Sequence, residues 1–180
     1  MDYDELDEAT RRWMLKEFNT EQSQDHYQSK SMNQAGLAAF PDIMRTAIQT
    51  GTIESLARDL SNSSLWNPSK SRRTKSGTID IPIKPEVEAK MVAHSEFNTM
   101  YTRGFARRLK EEGEEKCEIY RADRANEPKC ECSILEGSIQ PVQKIYDGHR
   151  AKYFPRDNFG AFSIPSVVYC HHTIRRIKKN

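Results

Sequence analysis

The chain has 180 residues, enough for one domain or one and a half around a real core. Hydrophobic residues make up 36% and charged residues 30%, which is polar for a globular protein yet too apolar for a wholly disordered chain. The formal net charge of +2 averages over segments of opposite sign, and no apolar run reaches the roughly 20 residues of a membrane span, so no membrane partner is expected.

The opening YDELDEATRRWMLKEF places Tyr3, Leu6, Thr10, Trp13 and Phe18 near helical spacing, acids first and bases later, and predicts an amphipathic helix. Its acidic start, where a secretory signal is basic, predicts a chain made and assembled in the cytoplasm with cysteines that begin reduced. NTEQSQDHYQSKSMNQAG has little to bury and is expected to form an extended arm over 19–36. Pro41 suits the first turn of a helix in FPDIMRTAIQTG, which Gly51 stops. Thr52 then caps a second helix with Ile53, Leu56, Ala57 and Leu60 on one stripe. Residues 1–60 are thus expected to form a helical region of about three helices.

SNSSLWNPSKSRRTKSG predicts a basic linker over 61–77, carrying Trp66 and the cluster Lys70, Arg72, Arg73 and Lys75. Such a cluster suits phosphates or an acidic partner. GTIDIPI alternates Ile79, Ile81 and Ile83 and predicts a short strand, placed at an edge by Pro82. From Pro85 to Gly113, Val87, Met91, Phe97, Met100, Tyr101, Phe105 and Leu109 recur at about four-residue steps and predict the core helix. EKCEIYRAD reads as a strand with Cys117 in the core, and PVQKIYDG as a short helix with Val142, Ile145 and Tyr146 inward. The ending predicts strands near 161–164 and 166–177, bent at Pro165. The expected fold is α+β: the helical part, then residues 78–180 with one long helix, one short helix, three to four short strands and a basic C-terminal tail.

Two stretches, EPKCECSILEG and PSVVYCHHTIRR, hold candidate ligands. Zinc takes four soft or borderline ligands at about 2.0–2.3 Å, usually from tight turns. Cys130, Cys132, Cys170 and His172 make a three-sulfur, one-nitrogen set if a strand puts Cys170 and His172 on one face and His171 on the other. C-x-C, however, presents two thiolates to one ion less readily than C-x-x-C, and the spacing departs from the common finger patterns. Free buried cysteines, or a disulfide within the cluster, are the competing readings. No cofactor is therefore expected, with zinc as the alternative. No nucleophile elbow, P-loop, dinucleotide-binding loop or H-E-x-x-H occurs, and nothing signals an orienting carboxylate or oxyanion site for a Cys170–His172 pair, so no enzyme is expected.

Charge is segregated. Residues 1–60 hold six basic and eleven acidic side chains, and residues 137–180 eight basic and two acidic. This layout predicts head-to-tail contact between copies, or an acidic partner for the basic end.

LDEATRRWMLKEF, AFPDIMRTAIQTGTIESLARDL, SEFNTMYTRGFARRLKEEGEEKCEIYRAD and the ending FSIPSVVYCHHTIRR resemble segments of a family of small virion structural proteins of tailed bacteriophages and prophages. The resemblance implies a non-enzymatic neck component: a head–tail connector, or adaptor, forming a homo-oligomeric ring that bridges portal and tail beside packaged DNA. It would be assembled in the host cytoplasm and reside in the virion. The cysteines and the His171–His172 pair lie outside that family pattern. CECSILEG followed by VVYCHH also resembles, in layout, the terminal cysteine motif of phage head-morphogenesis proteins, though Leu135-Glu136-Gly137 departs from their turn. On the connector reading the interface candidates are Trp13 and Trp66 as apolar anchors, Arg72 and Arg73 on the linker, and Arg175, Arg176, Lys178 and Lys179 facing an acidic partner or DNA. The alternative is a zinc-stabilised nucleic-acid-binding module.

Overall fold

A computed structural model describes residues 1–24, 28–75, 77–123, 130–149 and 162–178. The described chain is α+β, as expected. Its helices are α1 (Glu8–Gln22), α2 (Gln34–Thr50), α3 (Ile53–Leu60), α4 (Pro85–Glu111) and α5 (Val142–Asp147). Its strands are β1 (Ser69–Thr74), β2 (Gly77–Pro82), β3 (Lys116–Arg121), β4 (Ile139–Pro141) and β5 (His172–Arg175). They fall into two units, one of Asp25–His94 and one of Met1–Gln24 with Ser95–Asn180.

In the unit of Asp25–His94, Asn33 caps α2, which begins at Gln34, seven residues before Pro41. Its Oδ1 accepts from Gly36 N at 2.9 Å, while its Nδ2 donates to Ser64 O and Trp66 O at 2.8 and 3.1 Å. Pro41 therefore lies inside the helix and removes one backbone bond, tolerated where Phe40 and Met44 bury beside it. Gly36 is needed for a close approach, since a Cβ there would stand 2.1 Å from Leu65 O. Thr52 and Ser55 cap α3 reciprocally, and Leu56 and Leu60 bury.

Two expectations for this unit are corrected. The arm over 19–36 shortens to the residues between α1 and α2, of which 25–27 lie outside the described residues. Within it Met32 is buried and bridges to Trp66. The linker over 61–77 instead contains a 3-10 turn, Ser63–Leu65, and all of β1, paired antiparallel with β2 from Ser69 opposite Pro82 to Thr74 opposite Gly77. SKSRRT carries no apolar alternation, so backbone pairing, a Ser71 Oγ bond to Asp80 at 2.7 Å and a Thr74 Oγ1 bond to Gly77 O at 2.8 Å mark it as a strand. At the start of α4, Val87 is half exposed and the buried face begins at Ala89.

In the other unit, Phe97, Met100, Tyr101, Phe105 and Leu109 of α4 are buried as the spacing predicts. Beside them lies a sheet of order β4–β3–β5, antiparallel throughout, with Ile119 opposite Ile174. The buried face of α1 is Thr10, Met14, Glu17 and Phe18: Thr10 and Phe18 bury as expected, while Met14 takes the place of the half-buried Trp13 and Glu17 is held by Arg103 Nε at 2.7 Å. Met14 packs where α4 has Gly104, and a Cβ at Gly104 would stand 2.5 Å from Met14 N. Gly104→Ala is therefore expected to cost about 1–3 kcal/mol, read as a lower denaturation midpoint; an unchanged midpoint would mean α1 shifts freely. The strand expected over 166–177 is confined to β5; Ser166–His171 is turn and irregular chain, and Ala161 of the strand expected near 161–164 lies outside the described residues.

The charge segregation closes within this unit. Asp2 N donates to Ala122 O at 2.7 Å and Asp4 N to the Tyr120 hydroxyl at 3.0 Å, which pins the acidic opening beside β3. Arg175 then reaches Glu118 at 2.6 Å and Asp4 at 3.3 Å, and Arg176 reaches Glu5 at 2.8 Å and also Glu112. Arg108 binds Asp7 at 2.7 Å. Burial alone would raise the Asp7 and Glu112 carboxyls, but Arg108 on both, with Arg176 on Glu112, holds them below the usual carboxylate range. Their contribution is complete above the unfolded-state pKa of about 4 and is lost as pH falls through the lower folded values. The denaturation midpoint is expected to fall below about pH 4, and Arg108→Ala to flatten that fall; an equally steep fall in the variant would remove Arg108 from the account.

Candidate metal centre

The sheet brings the two cysteine stretches together. β3 pairs with β5 so that Arg121 stands opposite His172, and Ala122 N donates to His171 O at 2.9 Å. The backbone is extended at Cys130 and then enters the 3-10 turn Glu131–Leu135, which carries both sulfurs of C-x-C to one place. On the other side, Cys170 N donates to Val167 O at 3.3 Å and Tyr169 adopts φ 64°. That turn delivers Cys170 immediately ahead of His172, the first residue of β5.

The four expected ligands do converge. One ligand atom from each of Cys130, Cys132, Cys170 and His172 lies within 4.8 Å of every other, and all but Cys130 are buried. Cys130 Sγ stands 3.5 Å from His172 Nδ1, Cys170 Sγ 3.8 Å from Cys130 Sγ, and Cys170 Sγ 3.8 Å from His172 Nδ1. For zinc bonds of about 2.3 Å to sulfur and about 2.0–2.1 Å to nitrogen, tetrahedral angles place S···S at about 3.8 Å and S···N at about 3.6 Å. The three edges among Cys130, Cys170 and His172 lie close to those values, and Cys132 falls within 4.8 Å of each of them. No disulfide joins these cysteines. His171 takes no part; its Nδ1 lies 3.2 Å from Asp123 O. Cys117 is core, its Sγ donating to Gln140 O at 3.7 Å and its thiol pushed up to about 12 by burial.

Surrounding groups fix the ligands. His172 Nε2, on the far side of the ring, lies 3.5 Å from Glu136 Oε2, and Arg121 Nε holds that carboxylate at 3.0 Å. Burial raises the Glu136 carboxyl, but Arg121 and then His172 hold it below the usual range. Asn98, fully buried on α4, donates through Nδ2 to Cys170 O at 2.9 Å and His172 O at 3.0 Å. The His172 N–H points at Cys170 Sγ from 3.5 Å. A hydrogen bond between Cys132 and Cys170 favours loss of the Cys132 proton and retention of the Cys170 proton. Asn98 and Glu136 were missed by sequence reasoning. An amide amid the apolar stripe of α4 was the only signal for the first, and Glu136 in LEG carried none.

The other expected site residues scatter. Trp66 is buried, its Nε1 donating to Leu60 O at 2.8 Å, and so serves its own unit instead of an interface. Trp13 is half-buried, with Lys16 Nζ 4.6 Å and Arg107 Cζ 5.8 Å from its ring centroid. Arg175 and Arg176 pair with carboxylates of their own chain, Asp4 and Glu118 for the first and Glu5 for the second. Lys178 is exposed, 4.0 Å from Asp4, and Lys179 lies outside the described residues. Arg72 and Arg73 are exposed on β1. Among the described residues, no helix is long and apolar enough to cross a membrane. Comparison with family models, with curated proteins and with solved structures finds no match for this chain.

Proposed function

We propose that the chain is a non-enzymatic assembly protein, a ring-forming head–tail connector of a tailed-phage virion, as its sequence resemblance implies. The observation that carries an assembly role is the β1–β2 hairpin. It stands as a two-stranded sheet whose side chains are mostly exposed on both faces, including Ile79 at 49%. An isolated hairpin has little stability of its own, so such an arm suits docking onto something larger. Lys70 is tied to Glu88, which leaves Arg72 and Arg73 presented outward. The occupant we assign is a second copy of the chain. Its exposed turn from Glu111 to Glu115 offers Glu114 and Glu115 as complementary charge, Glu111 and Glu112 being paired with Arg107, Arg108 and Arg176 of their own chain and Arg176 also lying 3.6 Å from Glu114; head-to-tail contacts of this kind close rings.

Native mass spectrometry of the full chain tests this. A closed oligomer is expected at low salt, dispersed by Arg72→Glu with Arg73→Glu and restored when Glu114→Lys with Glu115→Lys is supplied on the neighbour. A chain that stays monomeric, alone and with portal, would overturn the reading. The same two arginines favour a second reading, phosphate contact with nucleic acid. On that reading, binding would weaken with log salt at a slope of about −0.9 per phosphate contacted.

A further inference from the structure

We infer that Cys130, Cys132, Cys170 and His172 form a structural zinc centre that ties the Glu131–Leu135 turn to the start of β5, whichever assembly the chain serves. Three features of the geometry point to an ion. The separations of 3.5 and 3.8 Å among Cys130, Cys170 and His172 lie close to the edges of a zinc tetrahedron. The fit within 4.8 Å leaves room for one ion and none for an iron–sulfur cluster, and thiolates with an imidazole suit zinc. Finally, His172 turns Nδ1 to the sulfurs and Nε2 to the carboxylate of Glu136, the arrangement that fixes a ligating imidazole's tautomer and raises its basicity.

The role follows from the count. Four protein ligands complete the tetrahedron, so no position remains for water or substrate, and a closed set of this kind holds a fold instead of activating a reactant. Asn98 adds a brace from α4, holding the carbonyls on either side of His171 while the side chains of Cys170 and His172 face the ion. Glu136 is a positioning residue, with Arg121 behind it.

The test uses the full chain purified without chelator. Expected are one zinc per chain and, after exchange into cobalt(II), the visible bands of a tetrahedral cobalt–thiolate centre. His172→Ala and Cys130→Ser are expected to lose the ion. Because either may fail to fold, His172→Cys provides the control: it is expected to keep one zinc and to change the cobalt spectrum. Glu136→Gln is expected to weaken zinc 10- to 100-fold while keeping the same spectrum. A chain that takes up neither zinc nor cobalt overturns the inference. So does one whose mass shows a disulfide among these cysteines, or a His172→Ala variant that keeps its ion at undiminished affinity.

Discussion

Stripping zinc from the full chain is expected to release the Glu131–Leu135 turn and the start of β5 while the unit of Asp25–His94 stays folded. The turn has almost nothing else to hold it: Cys132 is its only buried side chain, and Ile134 is 87% exposed. β5 is better supplied, with Ile174 fully buried opposite Ile119 and the Thr173 hydroxyl 2.8 Å from that of Thr102. Loss of the ion should therefore open one end of the sheet without dissolving it. A site held at a hundredfold excess of metal over its dissociation constant contributes about 2.7 kcal/mol, and at a thousandfold about 4.1. Hydrogen exchange reads this directly. Amides of Ser133, Ala122 and Cys170, which bond to Cys130, His171 and Val167, are expected to exchange at least a hundredfold faster in chelator, with Gly51 and Trp66 unchanged. Equal exchange with and without metal would show that the ion, if bound, holds nothing.

The sequence made the long helix legible because its apolar residues recur at one period over six turns, from Ala89 to Leu109. It made the ligand set legible because cysteines and histidines are chemically distinct wherever they lie. Three things were hidden, each for a physical reason. β1 could not be read because SKSRRT is polar on both faces, and a strand that buries nothing leaves no alternation. The internal pairing of acidic start and basic end depends on the two ends of the chain meeting, which local charge counts do not encode; Arg176 and Glu5 are 2.8 Å apart across nearly the whole chain. C-x-C was undervalued because its fitness depends on the turn that follows Cys130, and the residues ECSIL carry no strong turn signal.

Asn98 gives the sharpest link between core and site. It is fully buried, and its one amide nitrogen satisfies two carbonyls, those of Cys170 and His172. Asn98→Ala leaves both oxygens buried without a donor and opens a small cavity; each unsatisfied group costs about 1–3 kcal/mol, so a loss of about 2–6 kcal/mol is expected. Asn98→Asp keeps the shape but sets a carboxylate against two carbonyl oxygens, and burial with that repulsion raises its pKa. Its sign with pH is then the reverse of the surface carboxylates. A carboxyl raised in the folded state penalises stability above the folded value, and the penalty shrinks as pH falls through that value, where the protonated acid donates to one carbonyl. The Asn98→Asp chain is therefore expected to gain on the parent as pH drops from about 8 to about 5, and Asn98→Ala to keep a constant deficit. Both variants are expected to bind zinc more weakly, since the backbone that presents Cys170 and His172 loses its brace. Denaturation midpoints across that pH range, with zinc competition against a chromophoric chelator, measure the two effects together. If Asn98→Ala matches the parent in both, the bonds from α4 to the two carbonyls do not position the centre, and the sheet alone carries it.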